Sequence, residues 1–185
     1  MNKLIADIVR NDEQLFQIHE LNMQNIRTNL SEEEKNAEGF VSWIYPIDLL
    51  QKMHGIAPSI IVRDDEKVAG YALVATKEMR PFHSDLQGLF DHLSVIHFDD
   101  RPLIEKSFYC MGQICVDKNY RGQGIASKLY QKHKEIYGKR YQLLVTEIST
   151  SNFRSMHAHE KVGFKTIHRY RDPMDEWNVV VWDWS

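Results

Sequence analysis

The chain is short of cysteine, short of excess charge, and without a long apolar run or a repeat. Its 185 residues carry 23 lysines and arginines against 26 aspartates and glutamates, a formal net charge of −3. With no strongly basic field, nucleic acid is not an expected partner. The two cysteines, Cys110 and Cys115, lie five residues apart on one expected strand. At ~3.3 Å per residue that puts them roughly 16 Å from each other, far beyond disulfide reach. A reducing, cytoplasmic setting fits that usage. No apolar stretch approaches the ~20 residues that span a bilayer, so no membrane partner is expected. The opening MNKLIADIVRND has its apolar run broken by Asp7 and Arg10, and so lacks a signal peptide's apolar core. With no low-complexity tract or linker either, one domain over 1–185 is expected, large enough for a substantial core.

What is present centres on residues 108–144: an apolar strand, a tight Gly-rich turn, an amphipathic helix and a second strand. The turn is Arg121-Gly122-Gln123-Gly124-Ile125-Ala126. Its two glycines let backbone approach a bulky anion, and unpaired N–H groups at a helix start point outward. The helix dipole adds to this, so the turn reads as a phosphate seat, with Arg121 as a flanking cation.

Around that unit the pattern runs as follows. Residues 4–9 read as a strand, and Asn11 or Asp12 caps a helix to about 23 that buries Leu15, Phe16, Ile18, His19 and Leu21. Ser31 followed by Glu34 is a capping-box signature, with that helix's end left open near Gly39. A short helix follows Pro46 and is expected to stop at Gly55. Residues 60–63 and 68–76 form a hairpin around a polar turn. Between 77 and 106 the period is lost apart from a helix over 85–95 with Leu86, Leu89, Phe90 and Leu93 inward. This insertion is either an active-site cover or surface elaboration. The central strand spans 108–116. The helix over 124–137, stopped by Gly138, turns Ile125, Ala126, Leu129, His133 and Ile136 inward. The next strand, 141–148, is parallel to its predecessor because a helix crosses between them. A helix to Val162 is closed by Gly163, and strands over 164–170 and 179–184 finish the chain. The fold class is α/β: a mostly antiparallel twisted sheet around a single parallel pair, flanked by helices.

Two readings of the turn compete. Gly122-x-Gly124-x-x-Ser127 after a strand, with Glu147 near the end of the next strand, has the outline of a dinucleotide fingerprint. Ser127 stands where glycine or alanine belongs, however, and only one strand-helix-strand unit is convincing. The alternative rests on Ile114, Val116, Tyr120, Arg121, Gly122, Gln123, Gly124, Ile125 and Ala126, which together resemble motif A of the GNAT superfamily of N-acetyltransferases. Its Arg/Gln-x-x-Gly-x-Gly/Ala signature is met by Arg121, Gly124 and Ala126. Downstream, Asn152 opening a helix that ends in Gly163-Phe164 resembles motif B, with Ser155, His159 and Lys161 between. The resemblance covers about 108–170.

By that resemblance, acetyl-CoA is the co-substrate and sits where the central parallel pair splays. Ile114, Cys115 and Val116 would pair with the pantetheine arm. Arg121, Gly122, Gln123, Gly124, Ile125 and Ala126 would hold the pyrophosphate, and Asn152 and Ser155 would complete the site. The reaction implied is direct acetyl transfer to a primary amine of a small molecule or peptide. Transfer needs a neutral amine, a donor at the developing oxyanion, and a proton for the thiolate. The Ile114 amide takes the oxyanion role. His159 stands where most relatives carry a tyrosine general acid, and packing beside CoA is its rival role. The base position on the central strand holds Cys110 and Gly112, neither a convincing base, so Glu147 is the best carboxylate available. Tyr45, Phe82, His83 and Tyr109 are candidate acceptor-wall residues. The missing base leaves a non-catalytic acyl-CoA sensing module as the second hypothesis. His157 and His159 diverge on their helix, Cys110 and Cys115 face opposite sides of a regular strand, and no zinc-type spacing occurs, so no metal is expected. No nucleophile, base and orienter set for covalent catalysis is visible. The acceptor's identity and the oligomeric state are not legible.

Overall fold

A computed structural model describes residues 4–185. The elements in order are β1 (Leu4–Ile8), α1 (Asp12–Asn25), α2 (Glu32–Glu38), α3 (Ile47–Ile56), β2 (Ile60–Asp64), β3 (Lys67–Ala75), α4 (Ser84–Leu93), β4 (His97–Phe98), β5 (Arg101–Pro102), β6 (Phe108–Val116), α5 (Ile125–Tyr137), β7 (Leu143–Ser149), α6 (Phe153–Val162), β8 (Lys165–Arg171) and β9 (Glu176–Asp183). Seven strands form one sheet in the order β1-β2-β3-β6-β7-β9-β8. Every neighbouring pair is antiparallel except β6 and β7. The mixed α/β fold expected from the sequence is the one observed.

The parallel pair is short. Only Phe108, Tyr109 and Cys110 find partners, in Leu143, Leu144 and Val145. Beyond them Met111 is held to β7 by Thr146 Oγ1, which donates to its carbonyl at 2.8 Å. From Gly112 to Val116, β6 is paired with β3 on one side and, among the described residues, has no strand on the other. The register against β3 slips between Ala72 and Val74, where Gly112 and Gln113 face a single residue. Such a bulge re-aims the side chains that follow it.

The core is centred on β2, β3, β6 and β7, whose Ile60, Ile61, Leu73, Val74, Tyr109 and Leu144 are all but fully buried. On α1 the buried stripe is Gln14, Leu15, Ile18, Leu21, Asn22 and Asn25, and Phe16 is 48% exposed, contrary to expectation. Polar residues take that face because the 43–45 segment needs them. Asn22 accepts from the Tyr45 N–H at 2.8 Å and donates to the Trp43 carbonyl at 2.9 Å. On α5, Tyr130 and Tyr137 join Ile125, Leu129 and His133 inside, and this rotates the stripe to leave Ile136 41% exposed. Gly55 does not stop α3. It lies in the helix's last turn with open space around it, and the Ala57 N–H caps the end on the Met53 carbonyl at 3.0 Å. The Ser31–Glu34 capping box is present in full. The insertion folds into a short 3₁₀ turn, α4 and the small β4-β5 hairpin.

Candidate active site

The splay between β6 and β7 opens into two cavities that meet behind it. One, of about 390 Å³, is lined by Ile114, Cys115, Val116, Arg121, Gly122, Gly124, Ile125 and Ala126, and by residues of α6 including Arg154 and Lys161. The other, of about 440 Å³, lies on the side of α4 and the β8-β9 turn. Phe40, Val41, Ile114, Asn152, Ser155 and His159 border both, and so form the seam.

Local chemistry builds the first cavity. Asp117 accepts from the Asn119 N–H at 2.8 Å and pairs with Lys67 at 3.0 Å, and Tyr120 donates to Asp64 at 3.0 Å. These contacts pin the approach to the turn onto the β2-β3 hairpin. Gly122 and Gly124 then take φ of +76° and +75°, the left-handed region that glycine enters at least cost. Gly124 starts α5 without a side-chain cap, so the first N–H groups of the helix are left for an anion. Arg121 is already engaged, by Glu38 at 2.7 Å and Asn25 at 2.9 Å. Gln123 does not line the cavity; its amide donates to the Asn119 carbonyl at 3.4 Å.

At the seam, Asn152 caps α6 by accepting from the Ser155 N–H at 3.3 Å, and donates to the Phe40 carbonyl at 2.9 Å. His159 is 2% exposed. Its Nδ1 is 2.7 Å from the Ser155 carbonyl, which fixes the proton on Nδ1 and leaves Nε2 as a lone pair with no partner among the described residues. Burial holds its pKa down to about 4, so the ring is neutral at physiological pH.

In the second cavity Glu147 is nearly buried, and burial pushes its pKa up to about 7. Tyr170 on β8 donates to Oε2 at 3.0 Å, while Oε1 has no partner among the described residues. Tyr45, Trp43, Tyr170 and Trp177 supply aromatic wall. Tyr45 sits where it does because position 112 has no side chain: a Cβ there would come within 2.5 Å of its hydroxyl oxygen. Gln113 ties the same segment down, donating to the Trp43 carbonyl at 2.7 Å while Tyr71 donates to its Oε1. The insertion reaches this wall through Ser84, Asp85, Leu86 and His92 of α4. The His92 ring lies 3.7 Å from that of Tyr170.

Of the four wall candidates, Tyr45 lines the cavity, and His83 packs 5.0 Å from the Trp43 ring just behind it. Phe82 packs against the core rather than lining the cavity. Tyr109 is fully buried in the core, its hydroxyl 2.8 Å from His133 Nδ1, and plays no part in the wall. Sequence reasoning missed Tyr170, Trp43, Trp177 and Asp172. Tyr170 was the reachable one, since strand alternation on β8 brings every second side chain to one face. Burial raises both thiols, Cys115 to about 12, and neither is a reactive thiolate. Among the described residues no group of three His, Cys, Asp or Glu is placed to hold a metal ion, and no helix is long and apolar enough to cross a membrane.

This architecture matches solved acetyltransferases. The ribosomal-protein-S18-alanine N-acetyltransferase from Escherichia coli superposes with a TM-score of 0.66 at 12% identity, over 99% of this chain and 95% of that one. The N-acetyltransferase from Staphylococcus aureus Mu50 gives 0.64 at 21% identity, over 99% of each chain. The Salmonella typhimurium protein yncA, solved with its cofactor acetyl-CoA, gives 0.63 at 13% identity, over 100% of this chain and 95% of that one. No curated protein matches the sequence. The acetyltransferase (GNAT) family matches residues 15–164, and the chain belongs to that family.

Proposed function

We propose that the protein transfers an acetyl group from acetyl-CoA to a primary amine of a small molecule or peptide, in a cytoplasmic setting consistent with its two free cysteines. One observation carries the reading. Two cavities of opposite character share a seam, one with unpaired amides and basic side chains, the other with a buried, unpartnered carboxylate oxygen.

The first cavity fits the coenzyme. Left-handed glycines and uncapped amides suit a pyrophosphate, Arg154 and Lys161 add positive charge, and the unpaired edge of β6 from Gly112 to Val116 offers backbone groups to an amide-bearing arm. Arg121 serves by holding Glu38 and Asn25 against the cavity mouth and by contributing its charge. Ile114, Cys115 and Val116 would pair along the arm, Gly122 to Ala126 would hold the phosphates, and Asn152 and Ser155 would shape the seam.

Acetyl-CoA supplies the activated acyl group: the C–S bond breaks as the C–N bond forms, and the sulfur leaves with one of the two protons that an ammonium gives up. Glu147 Oε1 takes the other proton. A carboxylate titrating near neutrality is suited to this, because it is half ionised at working pH and still basic enough to accept. Tyr170 orients it through Oε2. The Ile114 N–H is the donor at the developing oxyanion. His159 Nε2 acts at the seam as a proton acceptor and relay; with its proton committed to Ser155, it holds no standing acid. The aromatic wall and α4 keep bulk water from Glu147.

The test is thiol release from acetyl-CoA with a panel of amines, beside calorimetric CoA binding. Amine-dependent release supports the reading. Tight CoA binding with no release for any amine overturns it in favour of a sensing module.

A further inference from the structure

Resting on that reading, we propose that the acceptor is a dication with no negative group: a diamine or longer polyamine whose near amine meets Glu147 and whose far ammonium is seated by Asp85 and Asp172. The lining of the second cavity is one-signed. Its ionisable members among the described residues are Asp85, Glu147, Asp172, two histidines, two tyrosines and Cys110, without a lysine or arginine. Elsewhere acids such as Asp7, Asp117 and Asp175 are matched by a basic partner. Among the described residues neither Asp85 nor Asp172 is matched by lysine or arginine. The only ionic neighbour of Asp85 among the described residues is the His83 ring at 3.7 Å. Asp172 accepts the Met174 and Asp175 N–H groups, both at 2.8 Å, through a single oxygen.

The two aspartates come from unrelated elements, the first turn of α4 and the turn after β8, and approach one space from two sides. Deeper in, Glu147 and His159 line the cavity, and their Oε1 and Nε2 atoms are buried without a hydrogen-bond partner among the described residues, so unused acceptors lie at its floor and carboxylates at its mouth. Trp43, Tyr45, Tyr170 and Trp177 between them suit a methylene chain and favour an ammonium over their faces. An acceptor carrying its own carboxylate would meet the Asp85 and Asp172 carboxylates, together with Glu147 when it is ionised, and no cation. The histidines do not alter this: burial lowers His92 as well as His159, and both are neutral at working pH.

The experiment compares kcat/KM for 1,4-diaminobutane, 1,3-diaminopropane, spermidine, butylamine, 4-aminobutanoate and a short lysine-free peptide, at low and high salt. The diamines should exceed butylamine about tenfold at low salt, with the advantage shrinking as salt rises, and 4-aminobutanoate should be slowest. In the double variant Asp85→Asn, Asp172→Asn the diamine-to-butylamine ratio should collapse to about twofold or less, while Asp85→Glu, Asp172→Glu should keep most of it. Butylamine or the peptide matching the diamines overturns this proposal and leaves acetyl transfer standing. So does a ratio that survives the double Asn variant. Silence across the panel with CoA bound overturns both.

Discussion

Replacing Glu147 with glutamine should stabilise the protein while nearly abolishing turnover. The carboxyl's ordinary pKa near 4.5 is raised to about 7 in the fold, first by burial and then by the Asp172 charge, with the Tyr170 hydrogen bond opposing both. Cys110 on β6 also faces this group and stays protonated. A raised folded pKa means that the native state keeps a proton which the unfolded chain gives up. Below about pH 4.5 both states are protonated and there is no penalty. As pH climbs toward 7 stability is lost, and above 7 the native state carries the full cost of a desolvated carboxylate. The gap from 4.5 to about 7 is worth about 3 kcal/mol. Glutamine has the same shape, keeps an oxygen for the Tyr170 hydroxyl, and never ionises. Urea denaturation of Glu147→Gln and wild type should therefore give similar stabilities at pH 4.5, and a gap favouring the variant that opens to about 2–3 kcal/mol by pH 8. In the same samples kcat/KM for the best amine should fall by about 10²–10⁴, the usual share of a general base. A stability difference that does not change with pH would refute the burial argument. A variant that is stabilised yet fully active would refute the base assignment alone.

Other positions separate parts of the argument. Gly124→Ala forces φ of +75° on a residue with a Cβ, at a cost of about 1–2 kcal/mol, and should weaken CoA binding in calorimetry well beyond its effect on melting. Gly112→Ala drives a Cβ to within 2.5 Å of the Tyr45 hydroxyl oxygen; it should raise KM for the amine several-fold while CoA affinity holds within about twofold. Asn152→Ala removes both a helix cap and the partner of the Phe40 carbonyl, and should cost about 2 kcal/mol by chemical denaturation along with part of the CoA affinity.

Signals written in neighbouring residues were readable in advance. The Gly122–Ala126 turn, the capping box at Ser31 and the bounds of β6 follow from short-range geometry and came out where the pattern put them. What failed depends on which long-range partner a residue finds. Phe16 lost its expected place inside because Asn22 and Gln14 have hydrogen bonds to make on that side of α1. Ile136 was displaced by two tyrosines whose rings fill more of the space over the sheet. Tyr109 reads as a wall aromatic until His133, about two turns along α5, turns out to hold its hydroxyl in the core. The bulge at Gly112 and Gln113 is invisible to a period-two count, yet it decides where Ile114 points. For the candidate site the donor half was legible and the acceptor half was not. The first centres on one continuous segment, 114–126; the second is assembled from α4, β6, β7, β8, β9 and a loop, and outside the shared seam only Glu147 and Tyr45 among its members were anticipated as site residues.

The ring contact between His92 and Tyr170 joins the inserted segment to the sheet. One ring belongs to the sheet and donates its hydroxyl to Glu147, the proposed base. The other sits on α4 of the inserted segment, outside the seven-stranded sheet. If Glu147 is the base proposed above, a substitution at His92 would reach it through the Tyr170 phenol, and pH optimum and acceptor choice would shift together while the Gly122–Ala126 turn keeps its geometry.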